Sequence, residues 1–411
     1  MYLDLNKELT DEQKLIKGRS HEFAEQVLRP ASIALDRLSP EEVIAKGSQL
    51  WDVFKIAYEQ EWHLRGFPEV LGGSHLDPLS THIVNEEFGW GSSDFAIAMG
   101  VTSFPFAFAA GQRDPKLIEE VVMPFVEDRK GRYIGCWAIT EPGHGSDTLM
   151  PGTSMWEKPE IHYGLTATLD GDEYVLNGQK SAWVSNGTIA THALAFLGVD
   201  RKKGMAGGGV ALVPLELPGV TKGPPLNKLG QRALNQGEIF FDNVRIPKSY
   251  MFVGAEAYTF AIDSVLAGAN AFMGSTFTGL ARAALEESLR YTKERVQGGV
   301  PISQHQLVQK KLFDMFVKVE ASRQLSRATI LYNEGTFPPG TQYSISSKVF
   351  CTQSAFEVAS DAIQLHGGYG LTKEMLVEKL FRDARAAMIE DGSNDILSLT
   401  AAQKIIEQYA V

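Results

Sequence analysis

The hydrophobic period of this chain switches twice, and few folds accommodate that switch. Up to about residue 133 the apolar residues recur at helical spacing, with Leu15, Phe23, Val27 and Leu28 as an early example. Thr10 and Gln13 form a capping-box pattern at the start of that helix, and Pro30 is the residue predicted to end it. From 134 to about 250 the period falls to two, and the Asp170-Gly171 and Asn177-Gly178 pairs mark tight turns. From about 251 onward the pattern is helical again, notably over Leu280–Val296 and Gln304–Glu334. The reading is an α+β chain of three domains. A helical N-terminal domain (1–133) precedes a central antiparallel β-domain (134–250), a small sandwich or barrel, and a C-terminal four-helix bundle (251–411) follows. Three domains also suit 411 residues, since a single core stops growing at roughly 250–300.

Charge narrows the partners. A net charge of −11 argues against nucleic acid or an anionic membrane as the main partner. No apolar run reads as the roughly 18 residues of a membrane span, so none is predicted. The opening MYLDLNKELTDEQ lacks the basic start and apolar stretch of a signal peptide. With only Cys136 and Cys351, no disulfide framework or cysteine metal cluster is implied, and the expected compartment is the reducing cytoplasm. The nine histidines show no metal-ligand spacing, so no metal is predicted. P-loop, Gly-x-Ser-x-Gly and strand-borne Gly-x-Gly-x-x-Gly patterns are absent, which weakens hydrolase and nucleotidase readings.

Four stretches stand out as chemistry-bearing. WAITEPGHGSD (Trp137–Asp147) is a strand running into a loop whose free N–H groups and hydroxyls suit a phosphate or polar ring edge, or form an ordinary turn. KSAWVSNG (Lys180–Gly187) alternates an indole with a hydroxyl, and Trp183 serves either as a stacking face or as core. ERVQGGVPI (Glu294–Ile302) places Arg295 at a helix C-terminus, where the dipole favours it in any case. The fourth, Ile363–Leu397, carries the break Gly367-Gly368-Tyr369-Gly370 and the acidic pair Glu390-Asp391 ahead of Gly392. Carboxylates at the negative end of a helix cost about 0.3–1 kcal/mol. Spacing leaves open whether the pair is a solvated end before a glycine cap or a positioned base.

Taken in order, AITEPGHGSD, QKSAWVSNG, ERVQGGVPISQHQ and QLHGGYGLTKEMLVEKLFRDARAAMIEDGSNDI resemble the acyl-CoA dehydrogenase family, as does FPEVLGG nearer the start. The resemblance spans essentially the whole chain. It implies FAD, a homotetramer, α,β-dehydrogenation of an acyl-CoA thioester, and an electron-transfer flavoprotein or similar acceptor. By the same resemblance, Trp137, Ile139 and Thr140 would line the flavin, and Gly145 and Ser146 would meet phosphates and the CoA chain. Trp183 would lie against the isoalloxazine, with Ser185 approaching N5. Arg295, Gln297, Gln364, Gly367 and Gly368 would meet the FAD of a neighbouring subunit, while Ser393 and Asp395 would contact FAD after the catalytic turn. Ser146, Asn270 and Gly392 would face substrate.

The resemblance also exposes departures. Counting from Arg382-Asp383, the family's catalytic glutamate falls on Asp391, and Glu390 occupies a position usually apolar or aromatic. Aspartate is shorter by one methylene, about 1.5 Å of reach, which points to a bulky, cyclic or branched acyl group. Two alternatives share the resemblance. One is a nitroalkane-oxidase-like flavoenzyme, against which Ser398 stands where that class has arginine. The other is a weakly catalytic or non-catalytic subunit of a mixed complex.

Overall fold

The computed structural model describes Leu5 and residues 8–409, so residues 1–4, Asn6 and Lys7 of the opening stretch read against a signal peptide lie outside the described residues. The capping box forms as read: Thr10 caps α1 (Asp11–Phe23) through the Gln13 N–H, and the Gln13 side chain returns to the Thr10 N–H. Pro30 does not end this segment. A π-helical turn at Ala24–Leu28 shifts the register, with the Arg29 N–H bonded to Ala24 O, and the chain continues as α2 (Arg29–Leu35). A wider turn next to Pro30 accommodates a residue with no N–H to give.

Short α3 (Pro40–Ile44) and α4 (Gln49–Glu59) lead to α5 (Pro78–Gly91), α6 (Ser93–Thr102) and α7 (Phe104–Gly111), then to the brief α8 (Pro115–Leu117) and α9 (Met123–Val126). The chain breaks between α5 and α6 at Ser92, whose hydroxyl accepts from the Phe95 N–H. Contrary to expectation, Ser93–Gly111 is long and apolar enough by composition to cross a membrane. Packing consumes that apolar surface: 61 % of the window is buried within the protein. The small residues nearby close helix contacts rather than widen a pocket. A Cβ on Gly91 would come within 2.8 Å of Ala24 Cβ, and one on Gly100 within 2.9 Å of the Phe272 ring.

The central domain is one eight-stranded sheet rather than a sandwich. It contains β1 (Gly135–Ala138), β2 (Thr166–Asp170), β3 (Glu173–Lys180), β4 (His192–Gly198), β5 (Gly208–Pro214), β6 (Val220–Lys222), β7 (Ile239–Pro247) and β8 (Met251–Val253). The order is β6-β7-β3-β2-β4-β5-β8, antiparallel except where β2 and β1 run parallel to β4. The Asp170 turn joins β2 to β3 in register, whereas Asn177-Gly178 lies inside β3 and makes a register shift there. Gly178 has a φ of +137°, so its turn chemistry became a bulge.

The C-terminal domain is built on α10 (Tyr258–Glu294), a helix of 37 residues. A two-stranded hairpin, β9 (Val296–Gln297) and β10 (Val300–Pro301), links it to α11 (Gln306–Asn333), and α12 (Thr341–His366), α13 (Leu376–Ala387) and α14 (Asn394–Gln408) complete the bundle. The crossing of α5 on α10 is close. A Cβ on Gly89 would lie 1.9 Å from Thr276 O, and one on Gly279 2.0 Å from Glu86 O. Glu87 and Asp94 are buried at these interfaces. Glu87 pairs with Arg282 at 2.5 Å, beside Glu86, which meets Arg282 and Arg323. Asp94 meets Lys379, whose ammonium also meets Asp383 at 2.5 Å. Charges taken out of water need such partners, and these ion pairs lock the N-terminal helices onto the bundle.

Candidate active site

The turn between α13 and α14 is the centre of the site. Asp391 adopts a left-handed φ of +51°, which short polar side chains tolerate better than most, and Gly392 follows at +102°. A Cβ on Gly392 would come within 2.8 Å of Leu397 and 3.0 Å of Leu149, so glycine is required there. Three contacts hold the turn. Asn394 N–H donates to Met388 O at 3.0 Å, Lys348 Nζ of α12 donates to Gly392 O at 2.6 Å and Asn394 Oδ1 at 2.8 Å, and Ser393 N–H donates to Ser146 Oγ at 2.9 Å. The last of these joins the bundle to the loop after β1. Among the described residues, none accepts from the Asp391 N–H.

That loop is itself built on a buried ion pair. Lys180 Nζ donates to Glu141 Oε1 at 2.7 Å and to Ile139 O at 3.0 Å, and the Glu141 carboxylate accepts from the Gly164 and Leu165 N–H groups. Bridges of Trp137 to Ser185 and of Ser185 to Gln236 then align the two sequence motifs side by side.

Between the domains lies a cavity of about 530 Å³. From the β-domain it is lined by Trp137, Ile139, Thr140, Gly145, Ser146, Trp183 and Ser185. The bundle contributes Arg385, Ala386, Ile389, Glu390, Asp391 and Gly392, and the N-terminal domain contributes Ile97. A larger, more open groove of about 820 Å³ runs over the outer face of the β-domain near His144, His162 and Phe240, and it contains none of the turn residues. The interdomain cavity is therefore the site.

Its two carboxylates are half-buried, and what surface they keep opens into the cavity. Burial pushes the Asp391 carboxyl up to about 6, against the pull of the Lys348 ammonium. Burial raises Glu390 further, to about 8, aided by the Asp391 charge and opposed by the hydrogen bond from Gln231 and by Lys228 and Lys348. A group poised near neutrality beside a cavity suits proton abstraction.

The cavity gathers Trp137, Ile139, Thr140, Gly145, Ser146, Trp183, Ser185, Asp391 and Gly392 from three separate motifs, and Ser393 adjoins it through Ser146. Other residues singled out in the sequence lie elsewhere. Asn270 is fully buried in α10, its Nδ2 donating to Leu266 O, and it does not line the cavity. Asp395 is exposed on the first turn of α14. Arg295, Gln297, Gln364, Gly367 and Gly368 are exposed together at one end of the bundle, where Tyr291 stacks on His366 at 4.1 Å. Within one chain they do not reach the cavity lining. Sequence reasoning missed Lys348, Lys228, Gln231 and Arg385. Nothing in the spacing of Lys348 signals that α12 passes beneath the turn, and the Lys228–Gln231 loop carries no motif beyond Gly230.

Most of the chain matches known domains in this order: acyl-CoA dehydrogenase N-terminal domain over 10–110, middle domain over 136–244 and C-terminal domain over 261–406. It is 31 % identical to the mitochondrial short-chain specific acyl-CoA dehydrogenase of Rattus norvegicus, covering 98 % of this chain and 92 % of the relative. It is 28 % identical to the cyclohexane-1-carbonyl-CoA dehydrogenase of Geobacter metallireducens, covering 98 % and 99 %. The solved butyryl-CoA dehydrogenase of Megasphaera elsdenii superposes with a TM-score of 0.83 at 26 % identity, covering 98 % of this chain and 100 % of that one. The chain belongs to the acyl-CoA dehydrogenase family and is an FAD-dependent oxidoreductase.

The cavity fits that cofactor. Trp183 leaves 57 % of its surface exposed, an indole face available for a planar ring, and Trp137 Nε1 is buried without a hydrogen-bond partner.

Proposed function

We propose that Asp391 is the base that removes the α-proton of an acyl-CoA thioester, and that the acyl group is bulky, cyclic or branched. The observation that carries this reading is the Asp391 carboxyl itself: it opens into the interdomain cavity from a turn tied to two domains, with its pKa raised toward neutrality.

An α-proton leaves only if the charge growing on the thioester oxygen is met by donors already in place. The Asp391 N–H is such a donor, and it is carried by the same residue as the base. Ser146 and Gly392 line the adjoining wall and are proposed to guide the thioester. FAD, when bound, supplies the hydride acceptor for the β-carbon. Trp137, Ile139, Thr140 and Gly145 are proposed to hold it with Trp183 and Ser185, whose hydroxyl accepts from Gln236 Nε2 at 3.3 Å.

The shortened base bears on the substrate. A turn pinned by Lys348 and Ser146 cannot slide forward by about 1.5 Å, and misplacement on that scale costs roughly 10²-fold in rate. The substrate carbon has to come closer, and Ala386 and Gly145 in the cavity lining are small residues that leave room for bulk. The similarity to a cyclohexane-1-carbonyl-CoA dehydrogenase supports the same reading.

By the same proposal, Arg295, Gln297, Gln364, Gly367 and Gly368 meet the FAD of a second subunit in a homotetramer, with Ser393 and Asp395 on the cofactor side of the turn. The acceptor of the electrons is proposed to be an electron-transfer flavoprotein, and the location the cytoplasm, in keeping with two buried free thiols. Anaerobic mixing of FAD-loaded Asp391→Asn with straight, branched, aromatic and cyclic acyl-CoAs tests the base. Retained FAD with no flavin bleaching is expected, and bleaching at the wild-type rate would refute the assignment.

A further inference from the structure

We infer that Glu390 and Gln231 form a hydrogen-bonding wall of the acyl pocket, and that the acyl group oxidised here carries a hydroxyl near its reacting carbons. This rests on the reading of Asp391 as the base, because that residue fixes which end of the cavity receives the acyl carbons.

Glu390 is not a solvated helix end. Its Oε1 accepts from Gln231 Nε2 at 2.5 Å, and Gln231 is 2 % exposed, with its own N–H on Asp383 Oδ1 at 2.5 Å and Nε2 also reaching Asp383 O at 3.3 Å. Gln231 holds a left-handed φ of +50° to make these contacts, and Gly230 before it would, with a Cβ, lie 2.5 Å from the Arg382 backbone. The carboxyl is thus aimed by a rigid loop of the β-domain, one residue from the base and on the same cavity.

A polar group facing a cavity from which ligand expels water must find its partner in the ligand or lose its hydrogen bonds. An all-hydrocarbon acyl group would strand the remaining Glu390 oxygen. The charges around the pocket select the kind of partner. The Asp391 carboxylate disfavours an anionic substituent, while Lys228 and Arg385 in the cavity wall and Lys348 beneath the turn disfavour a cationic one. A neutral hydroxyl both donates and accepts, and it matches a carboxyl that burial keeps largely protonated near neutral pH. Ile97, Leu149 and Ile389 of the same lining are apolar and suit the carbon frame of such a group.

The test uses FAD-loaded Asp391→Asn, in which ligands bind without turnover, titrated with cyclohexane-1-carbonyl-CoA and with ring-hydroxylated cyclohexane-1-carbonyl-CoAs while flavin absorbance is followed. At least one hydroxylated isomer should bind roughly tenfold tighter. Adding Glu390→Leu should bring the Kd ratio to about one, and adding Glu390→Gln should keep part of the preference. A ratio near one for every isomer, or a preference untouched by Glu390→Leu, overturns the inference. So does loss of FAD in Glu390→Leu, which would assign the carboxyl to the cofactor. Bleaching of Asp391→Asn by substrate would instead remove the base reading, and the two failures are read from different signals.

Discussion

Lys348 Nζ lies 2.6 Å from Gly392 O, so a buried ammonium on α12 stands directly beneath the turn that presents Asp391. The bond fixes the backbone of the proposed base, and the charge opposes the rise that burial imposes on the Asp391 carboxyl. Asp391 and Glu390 in turn hold the Lys348 proton against burial, which draws its pKa down to about 8. Asp391, Glu390 and Lys348 therefore titrate as a linked group.

The pH dependence follows from the sign of the Asp391 shift. Only the ionised carboxylate accepts a proton, and its pKa lies above the ordinary aspartate value, at about 6. The rate of flavin reduction should rise about tenfold per pH unit below that value and level off above it. Anaerobic stopped-flow measurements from pH 5 to 8 check this, and a flat profile would count against a carboxylate of this pKa as the base.

Lys348→Met should move that acidic limb to higher pH, because the one charge that lowers the Asp391 pKa is gone. Lys348→Arg should restore part of the shift by keeping the charge. A purely structural lysine would lower FAD content or Tm without displacing the limb, so the pH profile separates the two roles.

Gly392→Ala should destabilise the protein by about 1–3 kcal/mol, since alanine is strained at a φ of +102° and its Cβ meets Leu397 and Leu149. Flavin reduction should fall further than stability, because the strain is relieved by moving Asp391. Urea unfolding and single-turnover rates on the same preparation check both.

Lys379→Met should be among the most damaging changes away from the turn. Its ammonium joins Asp94 of the N-terminal domain, at 3.2 Å, to Asp383 of the bundle, at 2.5 Å, and both carboxylates are buried. Removing the shared cation strands two charges, a loss of about 3–5 kcal/mol. Denaturation midpoints of Lys379→Met and of Asp94→Asn with Lys379→Met should show strong non-additivity.

Much of the site was legible before any coordinates. Trp137, Thr140, Gly145, Ser146, Trp183, Ser185 and Asp391 are found on one cavity because each belongs to a local motif whose turn or strand geometry is encoded within a few residues. Asn270 lies outside the cavity lining, buried in α10 with its Nδ2 on Leu266 O, because a helical position shows its spacing and not its facing partner. Pro30 misled for a related reason: a π-turn elsewhere in the same segment changed which N–H was needed.

By itself, the sequence determined the three-part order of the domains, the strand-and-turn patterns, the family and the candidate base, because these depend on periodicity and short-range chemistry. Only the tertiary structure decided the environment of Glu390-Asp391. Lys348 is 43 residues before Asp391, and Gln231 is 159 residues before Glu390. Their contacts exist only once α12 and the β-domain loop are packed against the turn. Burial by those elements raises the pKa of both acidic residues at the helix end and turns them toward a cavity, since the free energy of a charge is set by the dielectric and the partners that folding brings to it.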